Sequence, residues 1–369
     1  MARERIAIVS LFPLGSLGGG EFFTLNTLKS VAVSGALCRL YAVKEPVSRQ
    51  QAASLRLQTD FIRAFDSENR DRPAPLKFAE LLAECTEFDT IWVHQHLSND
   101  LIFDFISSTA SDQTLLFTNL GHEPLRGFFS QIYQSSPNHW SVEISNYSES
   151  RAAGYSRQRA GISAAVWKKD CGQGFSPPRA FQRRVCVIGR VLPHKGVEVT
   201  IDGLPKDFEL NIVGGMDLDS DYTAHLKKSA AGRKVNFLGA QNEADKRRVL
   251  ESSDVLVASS CVTLFNGKQI EQAELLGMVL LEAVAADVLP VSSDLPPFRE
   301  VMEKLGLEEF IYPQRDSAAL EKILRRYESF TPERQAELRR RAHGRMLEHF
   351  LFDDYWQRVS RATGLRETP

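Results

Sequence analysis

Short apolar runs alternate with longer stretches of helical period along the chain. In the first half, runs rich in Val, Ile and Leu lie at 5–11, 38–43, 90–96, 115–120 and 141–146. They lack a clean alternation of apolar and polar positions, which is typical of strands that helices cover on both faces. The pattern therefore predicts a parallel sheet with helices on both sides in this half.

The same pattern starts again after a segment rich in Gly and Pro. Further runs of this kind lie at 184–190, 208–215, 235–240, 255–260 and 289–294. The segment 172–178 separates the two series, because Gly and Pro interrupt regular structure. We therefore predict an α/β protein with two doubly wound domains, 1–177 and 178–345. A C-terminal helix within 346–369 is expected to pack back on the first domain.

Composition agrees with a globular protein of two domains and limits its partners. The chain has 369 residues, of which 43% are hydrophobic and 25% charged, and its formal net charge is -2. Nucleic-acid binding normally needs a basic domain or stripe, so no nucleic-acid partner is expected. Five scattered cysteines without a C-x-x-C pair are typical of reduced cytoplasmic proteins. Pro13 ends the N-terminal apolar run early, so we interpret that run as a strand, not a signal peptide, and expect a cytoplasmic location.

A candidate ligand-binding loop follows the first strand of the second half. In parallel sheets of this kind, ligands bind beyond the carboxyl ends of the strands. Arg190 and Lys195 lie there, in the sequence GRVLPHKG, with a turn marked by Pro193 between them. Two cations on one loop suit a diphosphate, because they hold its charge and stabilise it further as it departs. The alternative is a charged surface loop without a ligand.

A glycine-rich stretch follows the first strand of the first half. Gly18, Gly19 and Gly20 come in a row in FPLGSLGGGEFF. Three glycines let the backbone approach a ligand closely, and a helix after them would direct N–H groups at an anion. The stretch is not the G-x-G-x-x-G fingerprint of dinucleotide sites, and a flexible loop is the alternative.

Two glutamates flank a turn in AELLGMVLLEAVA. Gly277 marks the start of a helix whose first amides and dipole favour a phosphate. Glu282 lies inside that helix between apolar residues, where a carboxylate without a hydroxyl or a cation would be costly. A ribose diol would supply two donors to it. The alternative is that Glu282 pairs with a nearby Arg or Lys and that Glu274, before the turn, is solvated.

These motifs, in this order, resemble the family-4 retaining glycosyltransferases of the GT-B fold. The likeness covers 184–303 well, through GRVLPHKG, LNIVGG, VNFLGAQNEADKRRVLESSDVLVASS and AELLGMVLLEAVAADVLPVSSDLPPFREVM. Glu274 and Glu282, with seven residues between them, match the family's pair of glutamates. The first half is similar more loosely, through IAIVSLFP, FDTIWVHQH and SVEISNYSESR. The resemblance implies two Rossmann-like domains that face a central cleft, with the donor mostly on the second and the acceptor mostly on the first.

The resemblance also implies roles for individual residues. Arg190 and Lys195 would hold the donor diphosphate. Glu282 would bind the nucleotide ribose, and Glu274 would contact the transferred sugar. The backbone groups and the closing loop that would meet the sugar and the phosphates are Leu275, Leu276, Gly277, Gly18, Gly19 and Gly20.

One departure concerns a histidine that family members carry at the end of a first-half strand, in contact with the sugar. Here the strand ends in TNLGHEP, so His122 is displaced and Asn119 stands nearer the expected place. Either residue is a candidate for the sugar contact. His94 and His96 are expected to pack or to line the cleft. Neither group of histidines has a third ligand at a sensible spacing, so no metal is expected.

The predicted activity is transfer of a hexose from a nucleoside diphosphate sugar, with UDP favoured. The acceptor would be a saccharide, a lipid-linked sugar or a small metabolite. In the family's mechanism the departing phosphate takes the acceptor's proton on the same face, without a cofactor or a metal. The alternatives are an epimerase or a phosphorylase of the same fold, or a non-catalytic protein that binds nucleotide sugars.

A cluster of arginines near the C-terminus allows two interpretations. It is either a solvated helix face or a site of peripheral contact with an anionic membrane surface. Its members are Arg339, Arg340, Arg341 and Arg345.

Overall fold

The computed structural model describes residues 4–14, 18–43, 62–65, 78–95, 101–121, 136–171 and 177–365. The chain divides into two units, one formed by Met1–Ala164 with Phe352–Pro369 and the other by Ala165–Leu351. The sequence pattern put the first division at 177/178 and the start of the last segment at 346. Most of the segment rich in Gly and Pro, residues 172–176, lies outside the described residues.

The first unit contains a seven-stranded sheet in which neighbouring strands are parallel. Its strands are β1 (Arg5–Ser10), β2 (Leu37–Val43), β3 (Ile62–Phe65), β4 (Thr90–Gln95), β5 (Thr114–Asn119), β6 (His139–Glu143) and β7 (Arg159–Gly161). Their order across the sheet is β3-β2-β1-β4-β5-β6-β7. The chain therefore winds outward in both directions from the pair β1 and β4, and the carboxyl ends of the strands share one edge.

The second unit repeats this winding in a six-stranded parallel sheet. Its strands are β8 (Arg184–Ile188), β9 (Glu209–Val213), β10 (Lys234–Gly239), β11 (Val255–Ala258), β12 (Leu289–Ser293) and β13 (Ile311–Tyr312), in the order β10-β9-β8-β11-β12-β13. The prediction of two parallel, doubly wound sheets is confirmed. The three strands that the apolar pattern missed, β3, β7 and β13, are short strands at sheet edges.

The described helices follow the strands in both units. In chain order they are α1 (Gly19–Val33), α2 (Phe78–Cys85), α3 (Leu101–Ser108), α4 (Asn146–Ala152), α5 (Val197–Asp202), α6 (Ser220–Ser229), α7 (Glu243–Glu251), α8 (Met278–Ala285), α9 (Pro296–Leu305), α10 (Ser317–Glu328), α11 (Pro332–His349) and α12 (Tyr355–Thr363). Within the described ranges, no helix is long and apolar enough to cross a bilayer.

Helices cover both faces of the first sheet, which explains the unbroken apolar runs within its central strands. On one face, Val93 of β4 belongs to a core cluster with Phe78 of α2 and Phe105 of α3. On the other face, Trp92 of the same strand stacks on Tyr355 at the start of α12, with ring centroids 5.9 Å apart. Successive side chains of β4 thus enter two different cores, so both must be apolar.

The arginines near the C-terminus do not all share an exposed face. Arg339 of α11 is 6% exposed, and its Nε lies 2.9 Å from Oδ1 of Asp287. Its Nη1 donates a hydrogen bond to the Tyr327 hydroxyl at 3.1 Å. The predicted cluster of four exposed arginines is therefore wrong for Arg339, which is a buried ion-pair partner.

Candidate functional site

The loop after β8 brings Lys195 to the carboxyl edge of the second sheet. A short 3-10 turn, Pro193–Lys195, is tied to the chain that follows β11. The Cys261 N–H donates to the carbonyl oxygen of His194 at 2.9 Å. The Ser259 hydroxyl donates to the carbonyl oxygen of Lys195 at 3.1 Å. These bonds fix the backbone from which the Lys195 side chain extends.

Gly196 allows the turn to lie this close to β11. Its φ is 58°, and a Cβ at this position would collide with the carbonyl oxygen of Ser259. Just beyond it, Glu198 of α5 is 2% exposed and accepts hydrogen bonds from Arg315 at 2.8 Å and from the Tyr222 hydroxyl at 2.5 Å. A buried, fully paired carboxylate therefore anchors the helix behind Lys195.

Lys195 and Glu274 form an ion pair at this edge. The Lys195 Nζ contacts Oε1 of Glu274, and the Ser260 hydroxyl donates to the same oxygen at 2.8 Å. The carbonyl oxygen of Ser260 in turn accepts from the Ser293 hydroxyl at the end of β12, at 2.6 Å. Burial raises the pKa of the Glu274 carboxyl, but the Lys195 ammonium and the Ser260 hydroxyl outweigh it and hold that pKa below its usual range. Glu274 is therefore an ionised hydrogen-bond acceptor at neutral pH, not a general acid.

Gly277 turns the chain into α8 beside this ion pair. Its φ is 95°, and a Cβ there would lie 2.6 Å from the ring of Phe298. Leu276 is 2% exposed and anchors the turn in the core, whereas Leu275 is partly exposed. No described side chain caps the first amides of α8, which carry the positive end of the helix dipole. This helix start is therefore suited to an anion.

One pocket joins these groups. Arg190, Lys195 and Glu274 line it. Its other lining residues are Val187, Ile188, Gly189, Val197, Val257, Ala258, Ser259, Ser260, Val279 and Phe298. The Arg190 side chain is exposed and makes no hydrogen bond or ion pair within the described part of the chain. The pocket thus combines a paired cation, a second cation and the start of α8.

Glu282 lies on the partly exposed side of α8. Its side chain is 32% exposed, whereas Leu281 and Ala283 are fully buried. Glu282 is therefore partly rather than fully buried, because the helix turns it away from these neighbours. Lys246 of α7 places its Nζ 3.4 Å from Oε2 of Glu282 and 2.8 Å from Oε2 of Glu243. The pairing with a cation that the sequence left open thus exists at one oxygen of Glu282.

The three glycines of the first unit begin a helix where a loop was expected. Gly18 precedes α1, and Gly19 and Gly20 lie in its first turn. Glu21 lies in the same turn, is 8% exposed, and directs Oε2 to within 2.6 Å of where a Gly18 Cβ would be. Because this carboxylate already offsets the helix dipole, the start of α1 suits an anion less well than the start of α8.

Asn119, one candidate for the sugar contact, ends β5. It is 6% exposed, and its Oδ1 accepts a hydrogen bond from the Gly121 N–H at 3.0 Å. His122, the other candidate, lies outside the described residues. The choice between them stays a prediction.

His94 is a core residue. It is fully buried, its ring packs against Trp92 at 5.3 Å between centroids, and its Nδ1 lies 2.9 Å from the Thr24 hydroxyl. His96 lies outside the described residues. Among the residues described, no group of three or more His, Cys, Asp or Glu side chains is placed to hold a metal ion.

Two residues at the site were missed by the sequence analysis. Ser260 ends an apolar run at the carboxyl edge, and that position was the available signal. Lys246 lies far from Glu282 in the sequence, and no spacing rule connects residues on two different helices.

The second unit is similar to known glycosyltransferases in sequence. Residues 177–345 match the model of the family described as glycosyl transferases group 1. The phosphatidyl-myo-inositol mannosyltransferase of Mycobacterium leprae (strain TN) is 35% identical over 136 residues, which are 35% of this chain and 32% of that protein. The second unit is therefore similar to group 1 glycosyl transferases. The aligned segment spans only about a third of the length of this relative.

Solved glycosyltransferases share the fold of the whole chain. A glycosyltransferase from Rickettsia africae ESF-5 has a TM-score of 0.77 at 15% identity and covers 100% of both chains. WaaG, a glycosyltransferase involved in lipopolysaccharide biosynthesis, has a TM-score of 0.63 at 13% identity and covers 97% of this chain and 100% of its own. The architecture is thus the two-domain α/β GT-B fold.

Proposed function

We propose that this protein is a family-4 retaining glycosyltransferase that moves a hexose from a nucleoside diphosphate sugar to an acceptor. The pocket at the carboxyl edge of the second sheet carries the proposal, because Arg190, Lys195 and the start of α8 meet Glu274 there. Cations and helix amides suit a diphosphate, and an ionised carboxylate suits sugar hydroxyls. The match of residues 177–345 to group 1 glycosyl transferases supports the same activity.

Donor binding is expected to change the partner of Lys195. In the structure its ammonium faces Glu274. A diphosphate carries more negative charge than one carboxylate, so the ammonium is expected to move to it. Glu274, still ionised, then accepts hydrogen bonds from the sugar hydroxyls.

The chemical step exchanges one bond at the anomeric carbon for another on the same face. The bond from this carbon to the diphosphate oxygen breaks, and negative charge grows on that oxygen, where Lys195, Arg190 and the α8 amides stabilise it. The acceptor oxygen forms the new bond, and its proton passes to the departing phosphate oxygen. Configuration is retained, and in this proposal the two cations and the amides stabilise the leaving group without a metal.

The substrates are proposed from the site and from the relatives. A UDP sugar remains our favoured donor. The relative from Mycobacterium leprae is named a phosphatidyl-myo-inositol mannosyltransferase. Mannose is therefore a further candidate for the transferred sugar, and a phosphatidylinositol is a further candidate acceptor. A saccharide or a small metabolite is the alternative acceptor, and a lipid acceptor would require contact with a membrane surface.

The test begins with a thermal-shift panel of UDP, GDP, ADP and their common sugars, since a ligand that binds the native state raises its melting temperature. The donor found in this way is then incubated with candidate acceptors, and the release of nucleoside diphosphate and the anomeric configuration of the product are measured. Product with the donor's configuration supports the proposal. Product with inverted configuration contradicts retention, a free-sugar epimer indicates an epimerase, and binding without turnover across the acceptor panel favours a nucleotide-sugar binding protein.

A further inference from the structure

Lys246 is a second cation beside the predicted ribose site. It lies on α7, its side chain is 23% exposed, and its Nζ stands between two carboxylates. The contact with Glu243 of the same helix is short, at 2.8 Å, whereas the contact with Glu282 of α8 is 3.4 Å. The longer distance exceeds that of a charge-assisted hydrogen bond. Lys246 thus contacts Glu243 closely and Glu282 more weakly.

Glu282 keeps most of its capacity to accept hydrogen bonds. An ionised carboxylate has about four acceptor positions on its two oxygens. Within the described residues, the contact of its side chain with Lys246 at Oε2 is the one found, and the side chain is 32% exposed. Two hydroxyl donors can therefore still reach this carboxylate.

The pair of charges matches the chemistry of a vicinal diol. Each hydroxyl of a diol can donate one hydrogen bond and accept others. Glu282 accepts from the hydroxyls, and an ammonium 3.4 Å from Oε2 is close enough to donate to the oxygen of the same hydroxyls. We infer that Lys246 is a further donor-binding residue that holds the nucleotide ribose together with Glu282. This inference rests on the proposed function, because it needs a nucleotide in the second unit.

A purely structural ion pair between α7 and α8 makes a different prediction. Partly exposed pairs contribute little to stability, so removing Lys246 would then change the melting temperature slightly and leave nucleotide affinity unchanged. A residue that binds the ribose affects affinity, and affects it only when the ribose carries its hydroxyls.

The experiment measures the affinity of the full chain for nucleotides by calorimetry. The probes are UDP, GDP and ADP, each compared with its 2′,3′-dideoxy form. The wild type is compared with Lys246→Met, which keeps the length of the side chain and removes the charge. Lys304→Met is the matched control, since Lys304 of α9 is 28% exposed and pairs with Glu300 at 2.7 Å in the same unit.

We expect Lys246→Met to weaken binding of the preferred ribonucleotide about tenfold, which is typical of losing a hydrogen bond from a charged group. The affinity for the dideoxy form should be unchanged, and Lys304→Met should leave both affinities as in the wild type. Thermal unfolding checks that each variant is folded, and Lys246→Gln replaces Lys246→Met if the latter is not.

Three outcomes overturn the inference. An unchanged or increased affinity for the ribonucleotide would leave Lys246 as a structural partner or a competitor of the ligand. An equal loss for the ribonucleotide and its dideoxy form would place Lys246 at the phosphates. A wild type that binds none of the three nucleotides would contradict the proposed function itself, and the inference with it.

Discussion

The two sheets have the same winding, but the side chains at their carboxyl edges differ in charge and in burial. At the second edge, Lys195 and Glu274 form an ion pair that lines a pocket. At the first edge, the strands β4, β5 and β6 end in Gln95, Asn119 and Glu143, which are all buried. The second edge thus presents ions, whereas the first edge presents two amides and one carboxyl.

Glu143, at the first edge, is a buried carboxyl that is hydrogen-bonded to neutral donors. Its Oε1 accepts hydrogen bonds from the Ser141 hydroxyl at 2.6 Å and from the Tyr155 hydroxyl at 2.7 Å. Burial nevertheless raises the pKa of the Glu143 carboxyl to about 7. Neutral donors offset part of the cost of burying this charge, whereas at Glu274 a cation and a hydroxyl together outweigh that cost.

The winding of each sheet provides a carboxyl edge, and the residues that end the strands decide the electrostatics of that edge. An edge with paired ions can exchange one ion for a charged ligand. An edge with buried amides and a carboxyl whose protonated form is favoured by burial suits uncharged groups.

The largest effect should come from removing either member of the ion pair. We expect Lys195→Ala to lower the turnover of the nucleotide sugar by about 10²–10³-fold or more, because the leaving diphosphate loses a cation aimed at its developing charge. Glu274→Ala should abolish transfer in the same way through lost contacts with the sugar. The measurement is release of nucleoside diphosphate by purified, folded protein. Lys206→Ala, at an exposed lysine of the same unit, is the control, and wild-type turnover in Lys195→Ala would rule out the diphosphate role.

The next largest effect should be a difference in stability between alanine variants of the glycines at the starts of α8 and α1. Gly277→Ala should lower the free energy of unfolding by about 2–4 kcal/mol, because it adds a left-handed backbone penalty to a clash with Phe298. Gly18→Ala should cost less than about 1 kcal/mol, since its φ is -87° and the nearest atom is the end of a flexible side chain. Urea denaturation followed by circular dichroism compares the two. Equal losses would mean that the start of α8 is not the more constrained of the two.

The sheets were predictable from the sequence because their central strands are buried on both faces. Such strands read as unbroken apolar runs, whereas the edge strands β3, β7 and β13 are too short to stand out. The meeting of Lys195 with Glu274 was predictable in outline, since both follow strands that end at the same edge.

Features that depend on the rotation of a helix were not predictable. α8 is so uniformly apolar that its period does not show which side faces solvent, and this hid the exposure of Glu282 and its contact with Lys246. Gly19 and Gly20 have low helix propensity, but the buried side chains of α1 that follow, such as Phe23, stabilise the helix through packing.

The third effect is a difference in how stability depends on pH. The folded-state pKa of Glu143, about 7, lies above the ordinary value of 4.5, so between these values the folded state holds a proton that the unfolded state has lost. The contribution of this carboxyl to the free energy of unfolding is therefore fully present below about pH 4.5. It declines by about 1–3 kcal/mol as the pH rises through 7. Glu143→Gln cannot ionise, so its stability should fall less between pH 5 and 8 in urea denaturation.

Glu274 provides the opposite sign within the same protein. Its folded-state pKa is lowered, so its contribution is present above the unfolded pKa and is lost as the pH falls through the folded one. Glu274→Gln should therefore lose less stability than the wild type as the pH is lowered. The decline in stability toward pH 8, which comes from Glu143, should be unchanged in this variant. If both variants changed the pH profile in the same direction, the contrast between the two edges would be wrong.

The smallest effect should come from Ser260, which supports Glu274 without carrying charge. Ser260→Ala removes the 2.8 Å hydrogen bond to Oε1 but leaves the ion pair with Lys195 in the ligand-free protein in place. We expect affinity for the nucleotide sugar to fall about fivefold, or ~1 kcal/mol, while affinity for the free nucleotide is unchanged, because only the sugar meets Glu274. Ser252→Ala, at an exposed serine that bonds only within its own turn, is the control. Equal losses for both ligands would show that Ser260 shapes the whole pocket, and Glu274 would no longer be singled out as the group that contacts the sugar.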